Sequence, residues 1–394
     1  MERDGGIVVA WIATSESDDD PPSGIRPRCA LLSAAELRVP EEAPCDECCR
    51  SRLLPLLLSE GASRPADCGS PSAPPPWFRR DKFTTGQAVF HHYFLSIFVS
   101  NLVGLLCLLT VETIVRVLVF TGRSSTAASA YKRYLNTINH LRLWYSSDIF
   151  SKGFSAYKSI QLVRRMHTSS HSETQKSKKF ITSQTDMVVT QWAFFGLVLT
   201  HGSQFGLQLT REEEEGLIHF WKTIGYLLGI EEKFNLAEGS IEDVKSNCHA
   251  LEHKIIIPGL ATPPPEFPQM ADAMLKGIHL IVPVMDPPAF SEFTKHIFRI
   301  GHGATQLSWS SKVIFNIMKW NFSTLLHIPV LQMLLHTYQN FLLRFALFVC
   351  NGLPVIRSYY VWTEKKVNGL WQDIMGSFMK VIKGILSLFN LDSS

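Results

Sequence analysis

Residues 93–109 read Tyr-Phe-Leu-Ser-Ile-Phe-Val-Ser-Asn-Leu-Val-Gly-Leu-Leu-Cys-Leu-Leu, and none of these 17 residues carries a charge. The stretch without Asp, Glu, Lys or Arg extends outward to residues 83–111. Seventeen apolar residues lie at the lower limit for a membrane-spanning helix, and they suit a buried helix of a large α-domain equally well. Ser100, Asn101 and Gly104 favour close helix packing in either environment. The stretch therefore predicts a helix covered on all sides, in lipid or in protein.

The rest of the chain beyond this stretch is helical in pattern at almost every step. Residues 127–145 place Tyr131, Leu135, Ile138 and Trp144 at the three- and four-residue spacing of an amphipathic helix. Further helices are predicted at residues 111–120, 154–166, 187–199, 212–228, 241–253, 269–280, 288–300, 310–320 and 328–349. Alternating strand patterns are absent apart from an ambiguous run at residues 254–257. The pattern predicts an all-α protein.

The composition excludes several classes of protein. Hydrophobic residues make up 46% of the 394 residues and charged residues 19%, so the chain as a whole is not disordered. The formal net charge is +3, which provides no overall field for binding a nucleic acid. We therefore expect no nucleic-acid partner.

The first 80 residues differ in composition from the rest. They contain 11 of the 21 prolines, and 13 acidic residues against 9 arginines and no lysine. Such a segment buries too little apolar area to offset the entropy of ordering it. We predict a disordered extension at residues 1–80, a single large helical domain at residues 81–365 and an amphipathic helix within residues 366–394. Lys380 and Lys383 make this last helix basic, so it can cap the domain or lie on a membrane.

Two clusters of residues can carry chemistry. Arg164 and His167 lie one turn apart on a predicted helix, and a neutral imidazole is a good axial ligand for haem iron. His167 and His171 are four residues apart, which also suits a two-histidine metal site. Upstream, Arg133 and Thr137 share one helical face, where a guanidinium and a hydroxyl can orient bound dioxygen or a carbonyl group.

Five motifs in their order along the chain resemble the ER-bound oxygenase and rubber oxygenase catalytic domain, over about residues 83–360. This family includes bacterial latex-clearing proteins and fungal oxygenases that cut a farnesyl side chain. The motifs are Arg133 with Thr137, then residues 163–167 (Val-Arg-Arg-Met-His), 185–194 (Thr-Asp-Met-Val-Val-Thr-Gln-Trp-Ala-Phe), 220–229 (Phe-Trp-Lys-Thr-Ile-Gly-Tyr-Leu-Leu-Gly) and 352–357 (Gly-Leu-Pro-Val-Ile-Arg).

The resemblance implies a globin-like helical core that holds one haem b. It implies that His167 is the axial iron ligand, that Arg164 is its cofactor-binding neighbour, and that Arg133 and Thr137 line the oxygen side. The implied reaction is that of an oxidoreductase, in which O2 oxidises a small apolar substrate, isoprenoid or lipid-like. The implied location is a membrane, such as that of the endoplasmic reticulum. The sequence departs from the family pattern at Asn136 and at His171.

Two alternatives remain open on the residues alone. In the first, His167 and His171 bind non-haem iron or zinc in an oxidoreductase. In the second, the departures at Asn136 and His171 record lost chemistry, and a membrane-associated helical protein retains the fold without catalysis. His201 and His219 are further candidates for a second ligand.

Overall fold

The computed structural model describes residues 51–122, 124–176, 182–300 and 307–352, and the side chains of residues 169–176 are outside this description. In these ranges the chain is helical and contains no β-strand. This confirms the predicted all-α class. The helices are α1 Leu53–Ser59, α2 Arg80–His92, α3 Phe94–Leu108, α4 Glu112–Phe120, α5 Ala127–Ser146, α6 Ser155–Lys176, α7 Gln184–Thr200, α8 Arg211–Leu227, α9 Ile241–Leu251, α10 Ile257–Ala261, α11 Phe267–His279, α12 Pro287–Ile297, α13 Trp309–Ser323 and α14 Pro329–Gly352.

Several helices start where a short polar motif satisfies their first backbone amides. Ser183 at the start of α7 accepts a hydrogen bond from the amide of Asp186, whose carboxylate accepts one from the amide of Ser183. Thr210 with Glu213 begins α8 in the same way. These reciprocal bonds satisfy amides that have no partner within the helix, so the start of each helix is encoded locally.

Helix α3 lies at the centre of the core. All its residues except Leu95 and Leu105 are buried. It packs closely on α7, since a methyl group at Gly104 would overlap the carbonyl oxygen of Ala193. Among the described residues, no single helix is both long and apolar enough to cross a bilayer. Helices α2 and α3 together reach that length and hydropathy, but they are bent by 92° relative to each other.

The bend between α2 and α3 is held by a side chain from α14. At Tyr93 the backbone leaves helical geometry (φ −104°, ψ 32°). The side-chain Nδ2 of Asn340 donates to the backbone carbonyl of His92 (2.7 Å), and its Oδ1 accepts from the backbone amide of Leu95 (2.9 Å). Asn340 thus satisfies backbone groups that the interrupted helix leaves open.

The predicted boundary at residue 80 requires a correction. Residues 51–80 include helix α1, whose Leu57 is fully buried, and Ala66 is also buried in the core. About half of this region's hydrogen bonds to the body run through its backbone groups, which composition does not reveal. Residues 1–50 of the predicted extension, and the predicted helix within residues 366–394, lie outside the described residues.

Candidate functional site

Helices α5 and α6 carry the predicted site residues and are joined by a shared serine. The hydroxyl of Ser159 on α6 lies 2.7 Å from Nδ1 of His140 and accepts a hydrogen bond from Nε1 of Trp144 (2.9 Å). Both partners lie on α5, and Ser159 and Trp144 are buried. The pairing fixes the register of the two helices, so Arg133 and His167 face a common region.

His167 lies on α6 and directs its Nδ1 atom into the protein. That atom is buried and has no hydrogen-bond partner among the described residues. Burial, together with the nearby guanidinium of Arg133, lowers the pKa of His167 to about 4. The imidazole is therefore neutral at pH 7, which is the form that binds a metal. The structure brings Arg133 and His167, 34 positions apart in the sequence, close enough to interact electrostatically.

Arg164, one turn before His167, is engaged by a segment from the N-terminal region. Its Nε and Nη2 atoms donate to the two carboxylate oxygens of Asp67 at 2.8 and 2.5 Å. Its Nη1 atom donates to the carbonyl of Ser70 at 2.7 Å. Arg164 is 9% exposed, so this two-point ion pair is largely shielded from solvent. The predicted role of Arg164 toward a cofactor stays a prediction; the contacts shown hold α6 to residues 64–72, hereafter the strap.

The strap is fastened along its length. The side-chain amide of Gln184 donates to the carbonyls of Pro65, Ala66 and Gly229, each at 3.0 Å. The amide of Cys68 donates to the carbonyl of Gly229 (2.9 Å). Asp67 also acts on His167, since its negative charge opposes the lowering of the histidine pKa. The strap therefore covers the part of α6 that carries both Arg164 and His167.

Thr137 lines a narrow apolar cavity. Its walls include Phe90, Phe94, Tyr134 and Phe194, and its volume is about 20 Å³. This is room for about one water molecule. The hydroxyl of Thr137 donates to the carbonyl of Arg133 at 3.1 Å, within α5. A larger ligand can reach Thr137 only if aromatic side chains of the cavity move.

The other polar candidates have structural partners or lie outside the description. Asn136 is exposed, and the side chain of His171 belongs to the undescribed ones. His219 accepts a hydrogen bond from the amide of Arg79 (2.9 Å) through Nε2. No group of three or more His, Cys, Asp or Glu residues among the described ones can hold a metal ion. The non-haem alternative at His167 and His171 thus gains no third ligand from the described residues.

A buried carboxylate, Glu252, was not singled out from the sequence. It accepts hydrogen bonds from the hydroxyl of Thr200 (2.7 Å) and from Nε1 of Trp192 (3.2 Å), and Nε2 of His201 lies 3.0 Å away. Burial raises its pKa, but the bonds from His201 and His249 outweigh burial and hold the pKa at about 2. His249 and Glu252, three residues apart, were the only local signal, because His201 lies 51 residues away.

The aromatic motifs form the core beside the site. The ring of Tyr145 stacks between Phe90 (3.9 Å) and Phe220 (4.0 Å), and its hydroxyl accepts from Nε1 of Trp221 (2.9 Å). Gln191 donates to the carbonyl of Trp221 at 2.9 Å. Gln191, Phe220 and Trp221 are thus held by contacts within the core.

Among the described residues, His167 fits the role of an axial haem ligand. The buried, neutral and unpartnered Nδ1 of His167 is an unused donor atom, which is costly to bury and is characteristic of a ligand position. The positive charge of Arg133 acts on it electrostatically. The guanidinium of Arg164 is paired with Asp67, so His167 is the residue that fits a haem best.

Comparison with known families gives one match. Residues 90–276 match the family model described as ER-bound oxygenase mpaB/B'/Rubber oxygenase, catalytic domain. The match begins within α2 and ends within α11, so it contains Arg133, Thr137, Arg164 and His167 but not residues 352–357. The predicted resemblance is confirmed. No curated protein and no solved structure matches the chain.

Proposed function

We propose that the helical domain at residues 90–276, which is a member of this oxygenase family, uses haem b to oxidise an apolar substrate with O2. Family membership supports an oxygenase-like function, and the haem and the isoprenoid or lipid-like substrate are our proposal. The observation that carries it is the buried Nδ1 of His167, a neutral donor atom with no partner among the described residues.

His167 is the proposed axial ligand and Arg133 its charged neighbour. Bound haem supplies the dioxygen chemistry, by which an olefinic C=C and O2 become two carbonyl groups. Arg133 lies near His167 and provides a positive charge that attracts a carboxylate or a partly negative oxygen. Thr137 provides a hydroxyl at the wall of an otherwise apolar cavity.

The surroundings of these residues favour an apolar substrate. The cavity at Thr137 is lined almost entirely by aromatic and aliphatic side chains, which exclude water and offer few polar partners. Such walls bind hydrocarbon chains better than polar molecules. We propose a site of action at an internal membrane, in keeping with the family description.

The proposal is tested by the visible spectrum and iron content of the full chain expressed with ample haem. We expect a Soret band and about one iron per chain. His167→Gly should lose the band and retain helicity, because no other residue replaces the axial bond. Added imidazole should restore the band by occupying the space of the missing side chain.

The matched control is His219→Gly, which removes another buried histidine whose pKa is also lowered to about 4. It should retain the Soret band. Iron or zinc without a Soret band would support the non-haem alternative. A colourless, metal-free protein would support a non-catalytic role, and an unchanged band in His167→Gly would refute the assignment of the axial ligand.

A further inference from the structure

Helix α14 buries a half-polar stripe and exposes large apolar side chains. Its buried residues are His336, Asn340, Leu343 and Leu347, which form a single narrow stripe facing the body. Half of this stripe is polar, and Asn340 is needed there to hold the bend between α2 and α3. A helix that faces water normally shows the opposite arrangement.

The exposed side of α14 is a continuous apolar stripe. Val330, Leu334, Tyr338, Phe341, Phe345 and Phe348 are 73%, 56%, 60%, 62%, 57% and 69% exposed. Their spacing of three or four residues places them together on the side opposite the buried stripe. From the first to the last residue the stripe is about 27 Å long at 1.5 Å per residue.

Helix α13 and the turn after it carry further exposed apolar residues. Trp309, Ile317 and Trp320 on α13 are 52%, 40% and 58% exposed, and Ile328 is 46% exposed. We call these four residues and the six of the α14 stripe the outer face. Scattered apolar residues are normal on a protein surface, but a contiguous face of large ones marks an interaction site.

The charged residues of the segment that forms the outer face are of one sign. Residues 307–352 contain Lys312, Lys319 and Arg344 and no Asp or Glu. All three basic residues are exposed. Tryptophan, tyrosine and phenylalanine with nearby basic residues are the composition of helices that lie in a membrane interface.

We propose that the outer face docks on an anionic lipid surface, with α13 and α14 lying along it. Anionic headgroups complement the unopposed lysines and arginine, and the acyl region takes up the aromatic stripe. A second copy of the chain would place like charges against each other across a two-fold axis. Residues 353–394 contain five basic and three acidic residues. Their net charge is therefore positive, like that of the outer face, and does not complement it. The outer face does not include His167, so this proposal is independent of the haem.

The test is co-flotation of the full chain with phosphatidylcholine vesicles that contain or lack phosphatidylserine. We expect binding to the anionic vesicles, reduced at least tenfold by the triple variant Phe341→Gln, Phe345→Gln and Phe348→Gln. The matched control is Leu58→Gln, Phe154→Gln and Val284→Gln, which changes equally exposed residues (58%, 51% and 61%) elsewhere and should not affect binding. Lys312→Gln with Lys319→Gln should remove the preference for anionic vesicles. Circular dichroism verifies that each variant remains helical.

Three outcomes would overturn the proposal. Equal loss of vesicle binding in the outer-face and control variants would mean that binding is unspecific. A dimer in sedimentation velocity that the outer-face variant dissociates, without vesicle binding, would identify a second copy as the occupant. Vesicle binding that appears only after Ile382→Gln with Phe389→Gln would mean that the chain's own C-terminal segment covers the face.

Discussion

The region around α5, α6 and the strap contrasts with the pair α13 and α14. In the first region, buried polar groups find partners within the chain: Arg164 pairs with Asp67, and Gln184 donates to three carbonyls. In the second, the stripe facing inward is half polar and the side facing outward is apolar. The polar groups of the first region are thus largely bonded within the chain, whereas the second region exposes a large apolar surface that the described residues do not cover.

The exception within the first region is the informative one. Nδ1 of His167 is buried without a partner, although the neighbouring Arg164 is bonded at three nitrogen atoms. The hydroxyls of Ser124 and Thr182 nearby also have no partner among the described residues, but Nδ1 of His167 is the better metal ligand, so the region leaves open one metal-ligating atom. The outer face instead exposes an apolar surface. We therefore propose a cofactor for the first region and a lipid partner for the second.

The largest expected effect separates the two sides of α14. Leu347→Ala removes a fully buried side chain and should lower the free energy of unfolding by about 2–4 kcal/mol. Phe345→Ala, two residues away and 57% exposed, should change it by less than about 0.5 kcal/mol. Urea denaturation followed by circular dichroism measures both values. A cost for Phe345→Ala as large as that for Leu347→Ala would contradict the comparison, because the outer face would then be covered within the chain.

The next effect concerns the ion pair between the strap and α6. Arg164→Ala leaves the shielded carboxylate of Asp67 without its cation and should cost about 2–3 kcal/mol. The control is Arg79→Ala, whose pair with Asp81 is more than half exposed on both sides and should contribute much less to stability. In a double-mutant cycle of Asp67 and Arg164, additive effects would show that the two residues do not stabilise each other.

A smaller effect tests the contact between α3 and α7. Gly104→Ala introduces a methyl group against the backbone of Ala193 and should cost about 1–3 kcal/mol through displaced helices. Gly153→Ala is the control, because a methyl group there meets open space. Thermal denaturation compares the two variants. Equal melting temperatures would mean that the helices separate without cost.

The smallest effect is the contribution of a single buried histidine to the dependence of stability on pH. Burial lowers the pKa of His167, His219 and His336 to about 4, whereas the unfolded chain binds these protons near pH 6.5. Acidification below pH 6.5 therefore favours the unfolded state, by about 1 kcal/mol per buried histidine for each pH unit until pH 4. Replacing one of them, as in His336→Gln, should flatten the decline between pH 6.5 and 5.

Much of the secondary structure was accessible from the sequence, and the reason is local. The periodic apolar residues of 127–145 become α5 at Ala127–Ser146, and capping residues such as Ser183 start helices by bonds to amides three residues on. The prediction of α6 ended ten residues too early, since the polar sequence after Met166 continues the helix to Lys176. Helix α10, Ile257–Ala261, lies outside the predicted helices and follows a π-helical turn.

The boundary of the domain and the environment of the site were not accessible in this way. Asp67 lies 97 residues from Arg164, in a stretch whose prolines and acidic residues suggested disorder. Its attachment depends on carbonyl groups of the strap meeting Gln184, and every residue type carries such a carbonyl. The bend at Tyr93 was not predictable either, because no proline or glycine lies there and the bend depends on Asn340 from a distant helix.

Sequence alone determined the helical class, the positions of most helices and the resemblance of residues 90–276 to an oxygenase family model, because periodicity, capping and short motifs act over a few residues. Tertiary structure alone decided that Arg133 lies beside His167, that Asp67 occupies the guanidinium of Arg164, and that α14 turns its aromatic side outward. Those outcomes depend on which groups meet across the core and how far each is removed from water, and neither quantity is a property of any single segment.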